Sequence, residues 1–165
     1  MKAIKVLLAV GACSGAMSAQ AGAILNWEGT GVDFYSSWIS SDTLRIEIDA
    51  DSPTGGWANA VSIDSIAINQ PDAGPTSWTW VNASDISLSG PGTFGGSIDG
   101  TGLNAGGCQS LSLGSNHACW SGLAALTDNM YFDFTFSGDA VVLDQADTPH
   151  LKVRMVDANG GKVGS

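Results

Sequence analysis

Carboxylates are the reactive groups that this sequence supplies in quantity. The 165-residue chain has 16 acidic residues against six basic ones, and Glu28 and Glu47 are the two glutamates. Glycoside hydrolysis needs two carboxyl groups about 5–10 Å apart, one of them with a raised pKa. Glu47, Asp49 and Asp51 alternate along the chain with suitable spacing, but the solvent-facing side of a strand has the same spacing. We interpret them as a polar strand face and predict no catalytic residue.

Nucleophilic catalysis has little support in the sequence. The chain contains no Gly-x-Ser-x-Gly elbow, the turn that exposes a nucleophilic serine in many hydrolases. His117 and His150 are the two histidines that could act as a general base, and no pattern places a serine and an acid beside either one. We therefore expect a protein that is not an enzyme.

Hard oxygen ligands make Ca²⁺ the metal that best suits this composition. Asp157-Ala158-Asn159-Gly160 resembles the opening of a calcium-binding loop, but no acidic residue stands at its fifth position. A hairpin turn explains the same four residues. Asp49 and Asp51 form a second, equally weak candidate. We expect no metal and no cofactor, with Ca²⁺ as the one weak alternative.

Six tryptophans are many for a chain of this size, and exposed tryptophans on a β-sandwich stack on sugar rings. Trp57 follows a Gly-Gly turn and Trp120 follows a cysteine, so loops could expose both rings. Trp78 and Trp80 share a strand face that we expect in the core. We select Trp57 and Trp120 as candidate carbohydrate-binding residues, with core packing as the competing explanation for both.

Residues 1–23 have the layout of a secretory signal peptide. Two lysines start a short apolar stretch, and small residues precede cleavage sites after Ala21 or Ala23. The stretch is too short and too weakly apolar for a transmembrane anchor. A lipoprotein signal ending at Cys13 is the alternative. We expect a secreted or surface protein in which residues 24–165 form one domain, with no membrane span after cleavage.

Removal of the signal peptide leaves Cys108 and Cys119 as a pair. An even number of cysteines in an oxidising compartment favours a disulfide. Closing a loop this short would stabilise the fold by about 3 kcal/mol. A zinc site is the rival interpretation, because His117 lies two residues before Cys119, but these three side chains are one ligand short. We predict the disulfide.

The net charge of −10 excludes two classes of partner. An acidic surface repels nucleic acid and anionic lipid headgroups. Aspartate favours turns and glutamate favours helices, so acidity that comes almost entirely from aspartate indicates a loop-rich β protein. The 22 glycines agree. Extracellular polysaccharide and other surface proteins remain as possible partners.

Apolar and polar residues alternate along much of the chain, and no segment has a convincing helical period. Leu44, Ile46 and Ile48 define the clearest half-buried strand. Between Val61 and Ile68 the apolar positions change parity, which predicts a β-bulge near Asp64-Ser65. Further strand patterns cover 78–81, 86–88, 132–136, 141–143 and 151–155, and a hairpin turn covers 157–161.

Short strands separated by turn signals, without alternating helices, predict an all-β fold. The expected architecture is an antiparallel β-sandwich, jelly-roll or immunoglobulin-like, that is loop-rich and carries one disulfide.

Five segments share strand-and-turn patterns with one known family. They are Leu44–Ala50, Pro53–Ala60, Ile63–Ile68, Phe132–Gly138 and Pro149–Arg154. In these patterns the chain resembles the ectodomain of PEP-CTERM proteins, secreted products of Gram-negative bacteria that an exosortase handles. The resemblance implies a place at the cell surface and brings no catalytic residues. That family ends in a Pro-Glu-Pro motif, an apolar helix and a basic tail, so we interpret this chain as truncated within a hairpin strand.

Three hypotheses follow from these observations. The first is a secreted, non-enzymatic β-sandwich of the bacterial cell surface or exopolysaccharide matrix, with a structural or adhesive role. The second is a carbohydrate-binding module that uses loop tryptophans. The third is an extracellular hydrolase.

Overall fold

Antiparallel strands make up most of the structure. The computed structural model describes residues 22–27, 31–69, 85–95, 98–99, 101–104, 106–110, 117–137 and 150–163. The 3-10 turn Gly55–Trp57 accompanies the strands. The strands are β1 Gly22–Trp27, β2 Val32–Trp38, β3 Thr43–Asp49, β4 Ser62–Asn69, β5 Ile86–Ser89, β6 Thr93–Phe94, β7 Ile98–Asp99, β8 Thr101–Asn104, β9 Gly107–Ser110, β10 His117–Ala125, β11 Met130–Phe136, β12 His150–Val156 and β13 Lys162–Val163.

The strands form two sheets and a short ribbon. Sheet one has the order β1-β2-β3-β11-β5, and sheet two has the order β13-β12-β4-β10-β6, with β7 also paired to β10. The ribbon consists of β8 and β9. All the pairings are antiparallel. The predicted all-β antiparallel sandwich is confirmed.

Alternation along the strands directs one face of each sheet into a shared core. Successive side chains of a strand point to opposite faces, so every second residue is buried. Trp120 of sheet two meets Phe134 of sheet one with ring centroids 5.3 Å apart, and Phe94 meets Phe132 at 5.7 Å. The buried alternating residues of β3 and β11 are Leu44, Ile46, Ile48, Met130, Phe132, Phe134 and Phe136.

Strand β4 contains the predicted bulge. Ser65 pairs with Arg154 of β12, and the next pair joins Ile63 to Met155, so Asp64 is an extra residue without a partner in β12. The extra residue resets the alternation. Ile63 and Ile66, three positions apart, are consequently both fully buried in the core.

The ribbon covers the outer face of sheet two. Ala67 and Cys119 are fully buried although their neighbours along each strand point into the core. A β-carbon on Gly107 of the ribbon would lie 3.3 Å from the Ser65 hydroxyl, so the ribbon backbone lies directly on β4. The two outer faces therefore differ, because sheet one exposes large side chains on its outer face.

Several predictions lie outside the described residues. These are the signal peptide up to residue 21, the strand with Trp78 and Trp80, and the strand at 141–143. Strand β1 begins at Gly22, which pairs with Ser36, so cleavage after Ala21 would leave this strand whole. Across the described ranges, no helix has the length and apolar character needed to cross a membrane.

Candidate functional site

Trp120 lies in the core and not in a loop. It belongs to the nine-residue strand β10, is 2% exposed and packs edge-on against Phe134. A ring buried between two sheets has no free face for a sugar. The expectation that a loop exposes Trp120 is therefore wrong, and the competing explanation of core packing holds.

Trp57 lies at the edge of the core. It ends the 3-10 turn Gly55–Trp57, is half-buried and meets Phe34 edge-on with ring centroids 6.1 Å apart. Part of its surface faces solvent and part packs against the core cluster. Its assignment as a carbohydrate-binding residue stays a prediction.

The predicted disulfide joins Cys108 and Cys119, whose Cα atoms are 5.7 Å apart. Cys108 lies in ribbon strand β9 and Cys119 in β10. The bond therefore fastens the ribbon to the outer face of sheet two.

The two histidines approach each other more closely than the sequence indicated. His117 and His150 begin β10 and β12, the strands on either side of β4, and both pair with Asn69. Neighbouring strands lie about 4.8 Å apart, so the two histidine backbones are about 10 Å apart. No group of three His, Cys, Asp or Glu residues that could hold a metal occurs in the described part of the chain.

Asp157 organises a hairpin turn. Its carboxylate Oδ1 accepts hydrogen bonds from the backbone N–H groups of Asn159 and Gly161, both at 2.8 Å. The backbone of Asp157 also bonds to Gly160 and Gly161 across the turn between β12 and β13. The predicted hairpin turn at 157–161 is confirmed. These bonds occupy one of the oxygens that a calcium loop would direct at the ion.

Asp51 and Asp128 form a pair of exposed carboxyl groups near the end of sheet one. The hydrogen bond to Asp51 and the negative charges of Asp51 and Asp49 raise the pKa of Asp128. Asn129, with φ of 53°, turns the chain into β11 beside this pair. Such an arrangement retains a proton on one carboxyl group to a higher pH than an isolated aspartate does.

A row of two exposed tyrosines and a half-buried glutamate crosses the outer face of sheet one. Tyr35 of β2 and Tyr131 of β11 both pair with Glu47 of β3, which lies between them. Tyr35 is 36% exposed and Tyr131 is 42% exposed. Two aromatic rings therefore lie on either side of one carboxylate.

The neighbouring row contains a charged pair. Arg45 donates from Nε to Asp133 Oδ1 at 2.7 Å and from Nη2 to Asp133 Oδ2 at 2.8 Å. The hydrogen bonds to Asp133 raise the pKa of Arg45 further. The guanidinium carbon also lies 5.1 Å from the centre of the Tyr131 ring. We call the set of both rows the tyrosine face, and its residues are Tyr35, Ser37, Arg45, Glu47, Tyr131 and Asp133.

Sequence reasoning missed the tyrosine face for a physical reason. The local alternation assigns Tyr131 to the side of β11 opposite the buried phenylalanines, but it does not say which strand lies next to β11. Only the pairing of β11 with β3 brings Tyr131 beside Glu47 and, across it, Tyr35. Tryptophan was also the one residue type predicted to form a sugar platform.

The fold and these side chains define a disulfide-bonded, all-β antiparallel sandwich with one covered and one open outer face. A scan against protein-family models and searches of curated proteins and of solved structures gave no match.

Proposed function

We propose that the protein is a secreted, non-enzymatic β-sandwich of the bacterial cell surface or exopolysaccharide matrix, with a structural or adhesive role. The observation that supports this most directly is the disulfide between Cys108 and Cys119. Disulfides form and persist in oxidising compartments outside the cytoplasm. The signal-like start and the resemblance to PEP-CTERM ectodomains of Gram-negative bacteria point to the same location.

The engagement of three of the carboxylates supports a non-enzymatic role. Asp133 binds Arg45, Asp64 binds Arg154, and Asp157 accepts backbone N–H groups within a turn. Carboxylates held in this way stabilise sheets and turns. A general acid or base instead needs a carboxyl group that is directed at a substrate.

A carbohydrate-binding module is the second candidate. The observation that favours it is the exposed pair Tyr35 and Tyr131 on the tyrosine face. Trp57 contributes to this candidate only through the part of its ring that faces solvent. An adhesive matrix protein and a carbohydrate-binding module differ in whether the glycan is bound directly.

Localisation tests the proposed function. The full chain is expressed in a Gram-negative host, and cytoplasm, periplasm, cell surface and extracellular matrix are separated. We expect the protein outside the cytoplasm, starting at Gly22 or Ile24 and lacking the two hydrogens that a disulfide removes. A Leu8→Arg variant, which interrupts the apolar stretch of the signal peptide, serves as the control and should remain cytoplasmic with free thiols.

One result would contradict the proposal, namely a parent protein that remains in the cytoplasm with reduced cysteines. A lipid-modified Cys13 would instead support the alternative of a lipoprotein signal.

A further inference from the structure

We propose that the tyrosine face binds an uncharged polysaccharide chain, with Tyr35 and Tyr131 as stacking platforms and Glu47 and Arg45 as hydrogen-bonding groups between and beside them. This inference rests on the proposed adhesive function, because it names the partner of the open face.

The spacing of the two tyrosines fits a chain of sugar rings. Tyr35 and Tyr131 occupy the strands on either side of Glu47 and share its register. Neighbouring strands lie about 4.8 Å apart, so the tyrosine backbones are separated by about 10 Å. That distance is comparable to the span of two linked pyranose rings. A glycan that crosses the strands would meet one ring at each end of this span and the Glu47 carboxylate at its centre.

The polar groups beside the rings are held in place before a ligand arrives. Two hydrogen bonds to Asp133 orient the Arg45 guanidinium, which also lies over the Tyr131 ring. Groups that are already ordered lose less conformational freedom when a ligand binds. Sugar hydroxyls both donate and accept, so an accepting carboxylate and a donating guanidinium match them.

The charges favour an uncharged glycan. The chain carries a net charge of −10, which repels an anionic polysaccharide. The guanidinium of Arg45 lies beside Tyr131, so an ammonium-bearing sugar would meet a like charge at that platform. Asp133 is already compensated by Arg45, so Glu47 is the carboxylate of this face that accepts hydrogen bonds from the sugar hydroxyls.

Of the two sheets, only sheet one has an outer face that the ribbon leaves uncovered. The ribbon covers the corresponding face of sheet two, where Ser65, Ala67 and Cys119 are buried. The exposed tyrosines of sheet one lie within alternating polar side chains, with Glu47 between them and Arg45 beside Tyr131. Aromatic rings within a polar surround suit a hydrated sugar chain better than an apolar protein partner.

Affinity gel electrophoresis of the secreted protein tests the proposal. Native gels contain xyloglucan, galactomannan or dextran as uncharged probes, alginate as the anionic probe and chitosan as the cationic probe. We expect at least one uncharged probe to retard the parent protein. Tyr35→Ala and Tyr131→Ala should each weaken binding about tenfold or more, and the double variant should lose retardation.

Two control variants separate stacking from other effects. Phenylalanine at both positions keeps the rings and should keep binding within a few-fold of the parent. Leu123→Ala removes a side chain that is 56% exposed on β10 of sheet two, away from the tyrosine face, and this variant should also keep glycan binding. The Tm of every variant is compared with that of the parent, to check that these substitutions at exposed residues leave the fold intact.

Several outcomes would overturn the proposal. They are no retardation by any uncharged probe, retardation by alginate or chitosan alone, or equal retardation of the parent and the double tyrosine variant. Self-association of the parent that the double variant loses would make this face an interface between copies of the chain. Each of these outcomes leaves a surface location intact, whereas a cytoplasmic location contradicts the proposed function and not this binding test.

Discussion

Asp42 and Asp128 are both exposed, yet their pKa values shift in opposite directions. The Ser40 hydroxyl donates to Asp42 at 2.5 Å and the Thr43 hydroxyl at 3.2 Å, and these bonds lower the pKa of Asp42. The hydrogen bond with Asp51 and its negative charge raise the pKa of Asp128. Hydrogen bonds to an ionised carboxylate favour ionisation, whereas a neighbouring carboxylate disfavours it.

The pH dependence of stability should reveal this difference. Folding raises the pKa of Asp128, so its contribution is present below the ordinary aspartate pKa of about 4 and is lost as pH rises through the raised value. Asp128→Asn cannot ionise and so avoids this loss of stability. Its Tm should be higher than that of the parent at pH 7 and equal to it near pH 3. Thermal unfolding followed by circular dichroism across this range provides the measurement.

Asp42→Asn is the matched control, because the pKa of Asp42 shifts in the opposite direction to that of Asp128. The pKa of Asp42 is lowered, so its contribution is present at neutral pH and is lost as pH falls through the lowered value. This variant should therefore have a lower Tm than the parent at pH 7, and the difference should shrink in acid. Equal Tm changes at pH 3 and pH 7 for either variant would refute the assignment.

At the scale of elements, the bulge in β4 places an ion pair under the ribbon. Asp64 accepts from Arg154 Nη1, and the two side chains are 20% and 15% exposed. Removing one partner of a largely buried pair leaves a desolvated charge. We expect Asp64→Asn to lower the free energy of unfolding by about 1–3 kcal/mol, as measured by urea denaturation.

The pair between Arg45 and Asp133 is the natural comparison. It has good bidentate geometry, but its side chains are 36% and 21% exposed on the open face. Solvent screens such a pair, and its loss generally costs about 1 kcal/mol or less. Asp133→Asn should therefore lower the free energy of unfolding less than Asp64→Asn does. The reverse order would show that the ribbon does not exclude water from Asp64 and Arg154.

The ribbon itself depends on the disulfide. Reduction frees Cys108 and removes a short loop closure from the unfolded chain, and the chain-entropy model assigns about 3 kcal/mol to this effect. Urea denaturation with and without a thiol reductant should show that loss. A Cys108→Ala/Cys119→Ala variant should be insensitive to the reductant. If the reductant changes the parent and this variant equally, the disulfide is not the cause.

For the whole molecule, the sequence predicted those features that depend on local alternation. Strand β3, the bulge at Asp64 and the turn at Asp157 follow from residues within a few positions of one another. The disulfide followed from the cysteine count. The sequence did not predict the tyrosine face, because the order of the strands in the sheet decides which residues lie side by side.

Strand β10 shows a second limit of prediction from the sequence. Its core side contains Ala118, Trp120 and Ala124, and its outer side contains Cys119, which the ribbon buries. Cys119 is buried on the outer side whereas the apolar Leu123 is 56% exposed, so apolar and polar residues do not alternate along this strand. The place of Trp120 after Cys119 suggested an exposed loop, whereas its ring lies between the sheets against Phe134.

Trp120 provides the last prediction, because it separates a core role from a sugar-binding role. Its ring bridges the two sheets through Phe134, so Trp120→Ala should lower the free energy of unfolding by about 3–5 kcal/mol. That is a large part of the 5–15 kcal/mol typical of a whole domain. Trp57→Ala removes a half-buried ring and should lower it less. Urea denaturation of both variants makes the comparison.

A Trp120→Phe variant completes this test. It keeps an aromatic contact with Phe134 and should recover part of the lost stability. Since the ring has no exposed face, this folded variant should bind glycans as the parent protein does. Weakened glycan binding by a stable Trp120→Phe protein would mean that the indole ring reaches a ligand, which would contradict its burial between the sheets.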